Sequence, residues 1–414
     1  MKVVIMAGGF GSRLKSALGK DIPKPLAQVG ERSVISSQIR LCMRYGMTSF
    51  IILLHHLAEK IIRHITDDRD FDSCDIQFVI EKTPRGTGGA LYDIRDKLDT
   101  RFVVMYGDVY VDVDLQRLIR GFKGDGVLVT HPNDHPYDSD LVEADSTGRI
   151  LDFTRKVDGE VYKNSVNAAL YCLSPNIFSF DSWSETGSFD LGRDVFPFLA
   201  DRTDLFKYDT VEYLKDIGTP ERLKKVNEDF YSGYIESRSK APRKAIFLDR
   251  DGVINRLNGY VTNPKQIEIH PSVFAAIRLI NQSKYLCIVV TNQPIIARGD
   301  ISESELEYIH DYIESELGNN NCFLDDLIYC PHHPDGGFPD EISELKFNCC
   351  CRKPEPGMLY QMAIKHSLVL SQCYMIGDSD VDVIAATRAN VRAVKIKSNT
   401  QDLLKEVEKI LALE

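Results

Sequence analysis

Over the first hundred residues, short aliphatic runs alternate with stretches whose apolar positions recur every three or four residues. Lys2–Met6, Phe50–Leu54, Ile76–Ile80 and Phe102–Tyr106 are apolar at most positions, which predicts strands buried on both faces. Ser33–Tyr45 and Leu57–Ile65 carry helical spacing instead. That rhythm predicts a mostly parallel sheet covered by helices on both sides. It pauses over the polar stretch Tyr231–Arg243, which holds Gly233 and Pro242, and resumes with strands at Ala245–Leu248, Cys287–Thr291 and Tyr374–Ile376. The expected fold class is therefore α/β, with two doubly wound domains: residues 1–235, a linker at 236–243, and residues 244–414. No internal repeat is visible, and no hexapeptide β-helix pattern follows the first domain.

A chain of 414 residues is longer than one ordinary core supports, in keeping with two domains. Its 43% hydrophobic and 27% charged content is that of a soluble globular protein. The longest apolar runs are strand-sized, and the opening MKVVIMAGG lacks the regions of a signal peptide, so the expectation is a cytoplasmic location and no membrane partner. A net charge of −11 argues against nucleic acid, yet local cations, backbone N–H groups and metal ions could still bind phosphorylated substrates. Of ten cysteines, Cys330, Cys349, Cys350 and Cys351 fall in a stretch that also holds His332 and His333, a pattern better suited to a metal than to disulfides.

The first strand runs into Ala7-Gly8-Gly9-Phe10-Gly11-Ser12-Arg13-Leu14, followed by Pro23-Lys24-Pro25. Glycines after a strand let the backbone approach phosphates, and Arg13 and Lys24 supply cations. The spacing is neither a dinucleotide fingerprint nor a P-loop. Taken alone, it is equally compatible with a tight structural turn. Further landmarks follow in order: Gly86-Thr87-Gly88-Gly89-Ala90, Gly107-Asp108, Asn167-Ala168-Ala169-Leu170-Tyr171 and Asp216-Ile217-Gly218-Thr219-Pro220. Together these motifs resemble the sugar-1-phosphate nucleotidyltransferase family over about residues 1–225. The resemblance implies a Rossmann-like domain in which Gly8, Gly9, Gly11 and Arg13 hold the nucleotide phosphates and Lys24 neutralises the reacting one. Asp108 and Asp216 would hold Mg, Gly88 would face the base or ribose, and Asn167 would contact the sugar. Where relatives carry Glu-Lys-Pro, this chain has Arg155-Lys156-Val157, which implies a sugar other than a standard glucose type.

The strand Ala245–Leu248 is followed by Asp249-Arg250-Asp251-Gly252, a later one by Thr291-Asn292-Gln293, and a third by Gly377-Asp378-Ser379-Asp380-Val381-Asp382. Carboxylates at i and i+2 after a buried strand can share a cation and divide nucleophilic from acid–base work. The ordered set resembles the haloacid dehalogenase phosphatase superfamily over about residues 244–400. By that resemblance Asp249 is nucleophile and Mg ligand, and Asp251 is general acid/base and gives Mg its carbonyl. Thr291 and Asn292 face the phosphoryl group, Lys353 neutralises it, and Asp378 completes the Mg site. Asp380 and Asp382 are expected to cap the next helix. Cys330-Pro331-His332-His333-Pro334 and Cys349-Cys350-Cys351-Arg352-Lys353-Pro354 resemble the superfamily's zinc-loop branch of heptose-bisphosphate and histidinol-phosphate phosphatases. That pattern implies structural Zn on Cys330, His332, Cys349 and Cys351, with Cys350 and His333 left over and Arg352 and Lys353 carried into the site. Asn258, Gly259 and Tyr260 stand where relatives carry a substrate loop.

Joined on one chain, the two resemblances imply consecutive steps of nucleotide-activated heptose synthesis. The 7-phosphate of heptose 1,7-bisphosphate would be removed, and the resulting 1-phosphate would take GMP from GTP. The resemblance tilts the base towards guanine because the ADP route uses an unrelated transferase family, while nothing in the residues themselves reads guanine over thymine or cytosine. Two alternatives stand beside this: a hexose-type transferase fused to a histidinol-phosphate or other sugar phosphatase, and a sugar-nucleotide-binding regulator with one inactive half. A homo-oligomer is compatible with either.

Overall fold

The two strand series form two main sheets, each around its own core. The computed structural model describes residues 1–14, 19, 22–136, 139–157, 159–180, 187–399 and 402–413. In the first unit the strands of the main sheet are β1 (Lys2–Met6), β2 (Ser49–Leu54), β3 (Asp75–Ile80), β4 (Phe102–Tyr106), β5 (Gly126–His131), β6 (Asp140–Ala144), β7 (Ile150–Arg155), β8 (Val166–Leu173) and β9 (Leu205–Asp209), and the short strands Val109–Asp112 and Tyr213–Asp216 pair antiparallel beside it, as do Gln28–Val29 and Arg32–Ser33. Their order is β7-β6-β8-β4-β1-β2-β3, with β5 pairing β8 and β9. The half β4-β1-β2-β3 is parallel, and Tyr106, Met6, Leu53 and Val79 form one row across it. Beyond β4 the expectation of a mostly parallel sheet fails, because β8 runs antiparallel to β4, β5 and β6. A bulge between Asn167 and Tyr171, with Ala169 at φ 54°, shifts the register of β8 against β5. Alternation still decides the burial. Val3 and Ile5 pack with Ile35, Ile39 and Phe50 on one face, while Val4 and Ile51 pack with Leu91, Tyr171 and Phe196 on the other.

In the second unit β10 (Lys244–Leu248), β11 (Tyr285–Asn292), β12 (Asp326–Cys330), β13 (Tyr374–Gly377) and β14 (Arg392–Lys395) form an all-parallel sheet of order β12-β11-β10-β13-β14. Helices such as Pro271–Gln282 and Asp402–Leu411 bury Val273, Ile277, Leu403 and Val407 against it. The carboxyl ends of β10, β11 and β13 therefore lie side by side, where open α/β sheets place ligands.

The chain divides at Ser239/Lys240, but Pro132–Asp138 and Lys156–Asn164 belong with the second unit. Within that unit Tyr162 N donates to Ser315 Oγ (2.8 Å) and Asn164 N to Glu314 Oε2 (2.8 Å). The first half of the expected linker 236–243 is the end of a helix, Tyr234–Ser239, and Arg238 within it and Arg243 after it are buried. Its polar residues misled because an arginine whose donors are engaged can be buried; Arg243 Nη1, for instance, donates to His366 O (3.1 Å). Among the described residues no helix is long and apolar enough to cross a membrane.

Candidate active sites

In the first unit the loop after β1 turns at Gly11 (φ 61°), where a Cβ would stand 2.9 Å from Lys24 Cγ. Glycine there lets the loop close over Lys24. Lys24 Nζ donates to Asp108 Oδ2 at 3.0 Å, and Ile217 N donates to Asp108 O, bringing the Asp216 strand end alongside. A Cβ on Gly218 would lie 2.9 Å from Asp216 Oδ1, 3.8 Å from Arg13 Nη2 and 3.9 Å from Lys24 Nζ. Arg13, Lys24, Asp108 and Asp216 therefore converge from three separate stretches of chain. Asp216 is also gripped through both oxygens by Arg222 Nη1 (2.9 Å each), a cation that the sequence reading missed. Two carboxylates at adjoining strand ends are hard oxygen donors of the kind a Mg ion takes.

Beside them lies a cavity of about 310 Å³ lined by Gly8, Gly9, Phe10, Lys24, Leu53, Glu81, Pro84, Gly86, Thr87, Tyr106 and Asp108, among others. Gly88, expected to face the base or ribose, is buried away from it. Its N–H donates to Phe189 O, and a Cβ would sit 2.8 Å from Val195 Cγ2, so its bareness serves packing while Gly86, Thr87 and Ala90 form the wall. Burial holds the Tyr106 hydroxyl well above its ordinary pKa; it bonds to Thr87 and to Tyr171, which in turn bonds to Asn167. Asn167 thus joins a polar network reaching the cavity. Glu81, directly after β3, has its carboxyl raised by burial and partly offset by a bond from Arg85 N (3.3 Å). The sequence reading missed Glu81, although its place at a strand's carboxyl end is a usable signal.

In the second unit Asp249 follows β10, Asp378 follows β13, and the buried Lys353 reaches between them. Lys353 Nζ lies 2.9 Å from Asp249 Oδ1 and 2.6 Å from Asp382 Oδ1, and donates to Val290 O at 2.8 Å. Burial works against its charge, but Asp249 and Asp382 outweigh that and hold the ammonium above its ordinary pKa. Burial pushes Asp249 up to about 6 against the opposing pull of Lys353. Asp249, Asp378 and Asp382 each offer a carboxylate oxygen within 4.8 Å of the others, a donor set that could hold a divalent cation. Asp382 does take part in the Ser379 capping box as expected, but it is also Lys353's second anion. Asp380 is surface-facing and pairs with Lys395.

Asn292 clamps Lys353 by its backbone, accepting from Lys353 N (3.0 Å) and donating to Lys353 O (2.9 Å). Buried Gln293 bridges Thr291 Oγ1 and Asp251 Oδ2, at 2.9 Å each. Asp251 is turned to Arg250, which is fully buried and donates to both its oxygens at 2.8–3.2 Å, with Asn255 adding a bond at 3.0 Å. Asn258, Gly259 and Tyr260 are exposed, and the Tyr260 ring lies 4.5 Å from the Arg298 guanidinium, which also covers Phe338 at 4.2 Å.

Cys330, His332, Cys349 and Cys351 meet at one point: Sγ–Sγ separations are 3.2–3.5 Å, and His332 Nδ1 lies 3.2 Å from Cys351 Sγ. Burial pushes the Cys351 thiol up to about 11 and Cys330 further still, whereas at Cys349 the hydrogen bonds from Cys351, the Arg352 N–H and Cys330 outweigh burial and lower it. Three sulfurs and one imidazole suit a tetrahedral soft-ligand site. Cys350 is exposed outside the cluster, and His333 bonds to the Asp335 backbone instead. Arg352 Nη1 donates to His332 O (3.2 Å).

Residues 2–233 match the family model described as nucleotidyl transferase, and residues 350–409 match a HAD-hydrolase-like model. The D-glycero-beta-D-manno-heptose-1,7-bisphosphate 7-phosphatase of Salmonella typhi is 41% identical over 147 residues, 36% of this chain and 76% of that protein. Among solved structures, HddC from Yersinia pseudotuberculosis is 26% identical, with 55% of this chain and 99% of that one aligned at a TM-score of 0.48. A putative glucose-1-phosphate thymidylyltransferase from Bacillus anthracis is 20% identical, with 55% and 94% aligned at a TM-score of 0.50, a likeness of fold.

Proposed function

The chain belongs to the nucleotidyl transferase family over residues 2–233 and to the family of heptose-1,7-bisphosphate 7-phosphatases, and from that we propose that it catalyses two consecutive steps of nucleotide-activated heptose synthesis. It removes the 7-phosphate of D-glycero-D-manno-heptose 1,7-bisphosphate, and it transfers a nucleotidyl group, GMP from GTP, to heptose 1-phosphate with release of pyrophosphate. The observation that carries the reading is the pairing of Lys353 with Asp249 at the joined strand ends of a chain that also holds the Arg13, Lys24, Asp108 and Asp216 cluster.

In the phosphatase half Asp249 is the nucleophile. Its bond to Lys353 aims one oxygen and leaves the other for phosphorus. Thr291 and the clamped Lys353 hold the phosphoryl oxygens, and Asp251 turns from Arg250 to protonate the leaving sugar oxygen, then takes a proton from the water that cleaves the aspartyl phosphate. Mg held by Asp249, Asp378 and the Asp251 carbonyl would neutralise phosphoryl charge. Cys330, His332, Cys349 and Cys351 would hold a structural Zn, since four protein ligands leave no open position. In the transferase half Arg13 and Lys24 neutralise the triphosphate, Asp108 and Asp216 fit a Mg ion, and Asn167 faces the sugar.

Heptose 1,7-bisphosphate, GTP and Mg added to the intact chain should yield one phosphate and one pyrophosphate per product, scored separately. Phosphate release from the bisphosphate without pyrophosphate release from any heptose 1-phosphate would overturn the transferase half. The reverse result would overturn the phosphatase half.

A further inference from the structure

At the amino ends of the second unit's strands, a cleft of about 460 Å³ is lined by Lys244, Lys284, Tyr285, Tyr374 and Arg392, together with Gln372 and Leu413. Lys244, Tyr285, Tyr374 and Arg392 are the first residues of β10, β11, β13 and β14. Lys244 pairs with Tyr285 and Tyr374 with Arg392, while Ile246, two residues beyond Lys244, pairs with Tyr374. Partners across a parallel sheet and residues two apart on a strand share a face, so all four side chains stand on one face. Two aromatic rings order the cations there. Lys244 Nζ lies 4.9 Å from the Tyr285 ring centre, and the Arg392 guanidinium lies 5.2 Å from that of Tyr374. Arg392 Nη1 also donates to Tyr374 Oη at 2.7 Å. Asp249 follows the other end of β10, about 16 Å from Lys244 at the rise of a strand, so the cleft is separate from the phosphatase centre.

We propose that this cleft is a further anion site, independent of both activities, that takes the diphosphate group of a small molecule. None of its lining residues is acidic, although the chain as a whole carries a net charge of −11. Among the described residues no carboxylate pairs with Lys284 or Arg392, and both side chains are exposed. Like charges gathered in one concavity repel each other and attract an anion that neutralises them. A single phosphate brings a charge of about −1.5 to −2 at pH 7, short of three cations, and a diphosphate comes closer. The cations also spread from β11 to β14, about 14 Å over three strand spacings, a reach that suits two linked phosphates better than one. Each ammonium supplies three donors, and the planar guanidinium can grip two oxygens at once. Tyr285 and Tyr374 are only 3% and 6% exposed, so their rings position the cations and leave no face on which a base could stack. The site therefore reads the phosphates alone, whether they arrive as pyrophosphate or on a nucleoside.

Calorimetric titration of the full-length chain in Mg-free buffer tests this, with Lys24→Gln in place so that the transferase cluster is weakened as a competing phosphate site. Inorganic pyrophosphate should bind saturably with a Kd below about 1 mM, and more tightly than inorganic phosphate. GDP should match pyrophosphate to within about threefold, because its base gains no contact. Lys284→Gln and Arg392→Gln, added separately, should each weaken pyrophosphate binding by about tenfold, the loss of one charge-assisted contact, and added salt should weaken it further. Both substitutions fall on exposed side chains, and a melting temperature equal to that of the parent chain reports intact folding. Pyrophosphate binding that Lys24→Gln alone abolishes, or that keeps its full strength through both cleft substitutions, overturns the site. Inorganic phosphate binding as tightly as pyrophosphate overturns the diphosphate assignment. GDP binding more than about tenfold tighter than pyrophosphate overturns the reading of phosphates alone.

Discussion

Lys353 has its ammonium held by two carboxylates and a carbonyl in a place with almost no water, so each partner's loss should be felt fully. Asp382→Asn leaves the buried ammonium with Asp249 as its one anion, and the ion pair then draws the nucleophile toward Lys353 and away from phosphorus. Removing one partner of a buried ion network typically costs several kcal/mol. The expected outcome is a drop in kcat/KM for phosphate release of about 100-fold or more, with pyrophosphate release by the same chain unchanged. A loss under threefold would mean that Asp382 serves the helix cap alone. Asp249, Lys353 and Asp378, which the structure brings together, stand in short motifs that single them out in the sequence. Asp382 was read as a cap only, and Arg250, Gln293 and Glu81 were passed over. Their roles arise where β10, β11 and β3 deliver them next to partners far along the chain, and one sequence does not state such neighbours.

At the scale of elements, strands announced by continuous apolar runs were legible to within two residues: Phe50–Leu54 is Ser49–Leu54, and Cys287–Thr291 is Tyr285–Asn292. Pairing direction was not, because β8 docks antiparallel on β4 from more than sixty residues further along the chain, and no local pattern marks that direction. Two elements invite measurement. The helix Gly357–His366 ends on His366 and Lys365, which contact Asp326 at the head of β12 at 2.5 and 2.7 Å. Burial alone would raise Asp326, but His366 and Lys365 outweigh it and hold the carboxyl at about 2. A depressed carboxyl stabilises the fold above its unfolded pKa of about 3.9, and loses that contribution as pH falls toward about 2. Two units correspond to roughly 2.5 kcal/mol. Urea unfolding should find Asp326→Asn destabilised by about that much at pH 7, with the gap closing steadily below pH 4. A gap independent of pH would remove the ionic explanation. The loop carrying Cys349 to Cys351 should likewise bind about one zinc per chain, lost in Cys349→Ser and kept in Cys350→Ser, since the Cys350 thiol lies outside the ligand group. Metal analysis giving the opposite pair of results would reassign the ligands.

At the scale of the whole molecule, the boundary at Ser239/Lys240 cuts the chain cleanly but not the second unit, which also includes Pro132–Asp138 and Lys156–Asn164. These segments rest on the helix Glu303–Asn319. Tyr162 N and O bond Ser315 Oγ at 2.8 and 3.0 Å, Asn164 N bonds Glu314, and Lys156 Nζ bonds Asn319 Oδ1 at 2.6 Å. A Cβ on Gly318 would come within 2.5 Å of Tyr162 Oη and 2.9 Å of Pro136 Cγ, so the glycine is where this packing is tightest. A fragment of residues 1–239 keeps both faces of its own sheet core but takes these segments away from their partners, and backbone groups such as Tyr162 N and Asn164 N lose their acceptors. The fragment should fold, yet be cut by protease within 132–138 or 156–164 at least tenfold faster than the intact chain. Residues 240–414 should retain phosphate release. Gly318→Leu in the intact chain should reproduce the protease sensitivity without truncation, because its side chain would occupy the place of Tyr162 and Pro136. Equal protection of those segments in fragment and intact chain, with Gly318→Leu also inert, would show that they are ordered by their own neighbours in sequence and that the second unit gives them nothing.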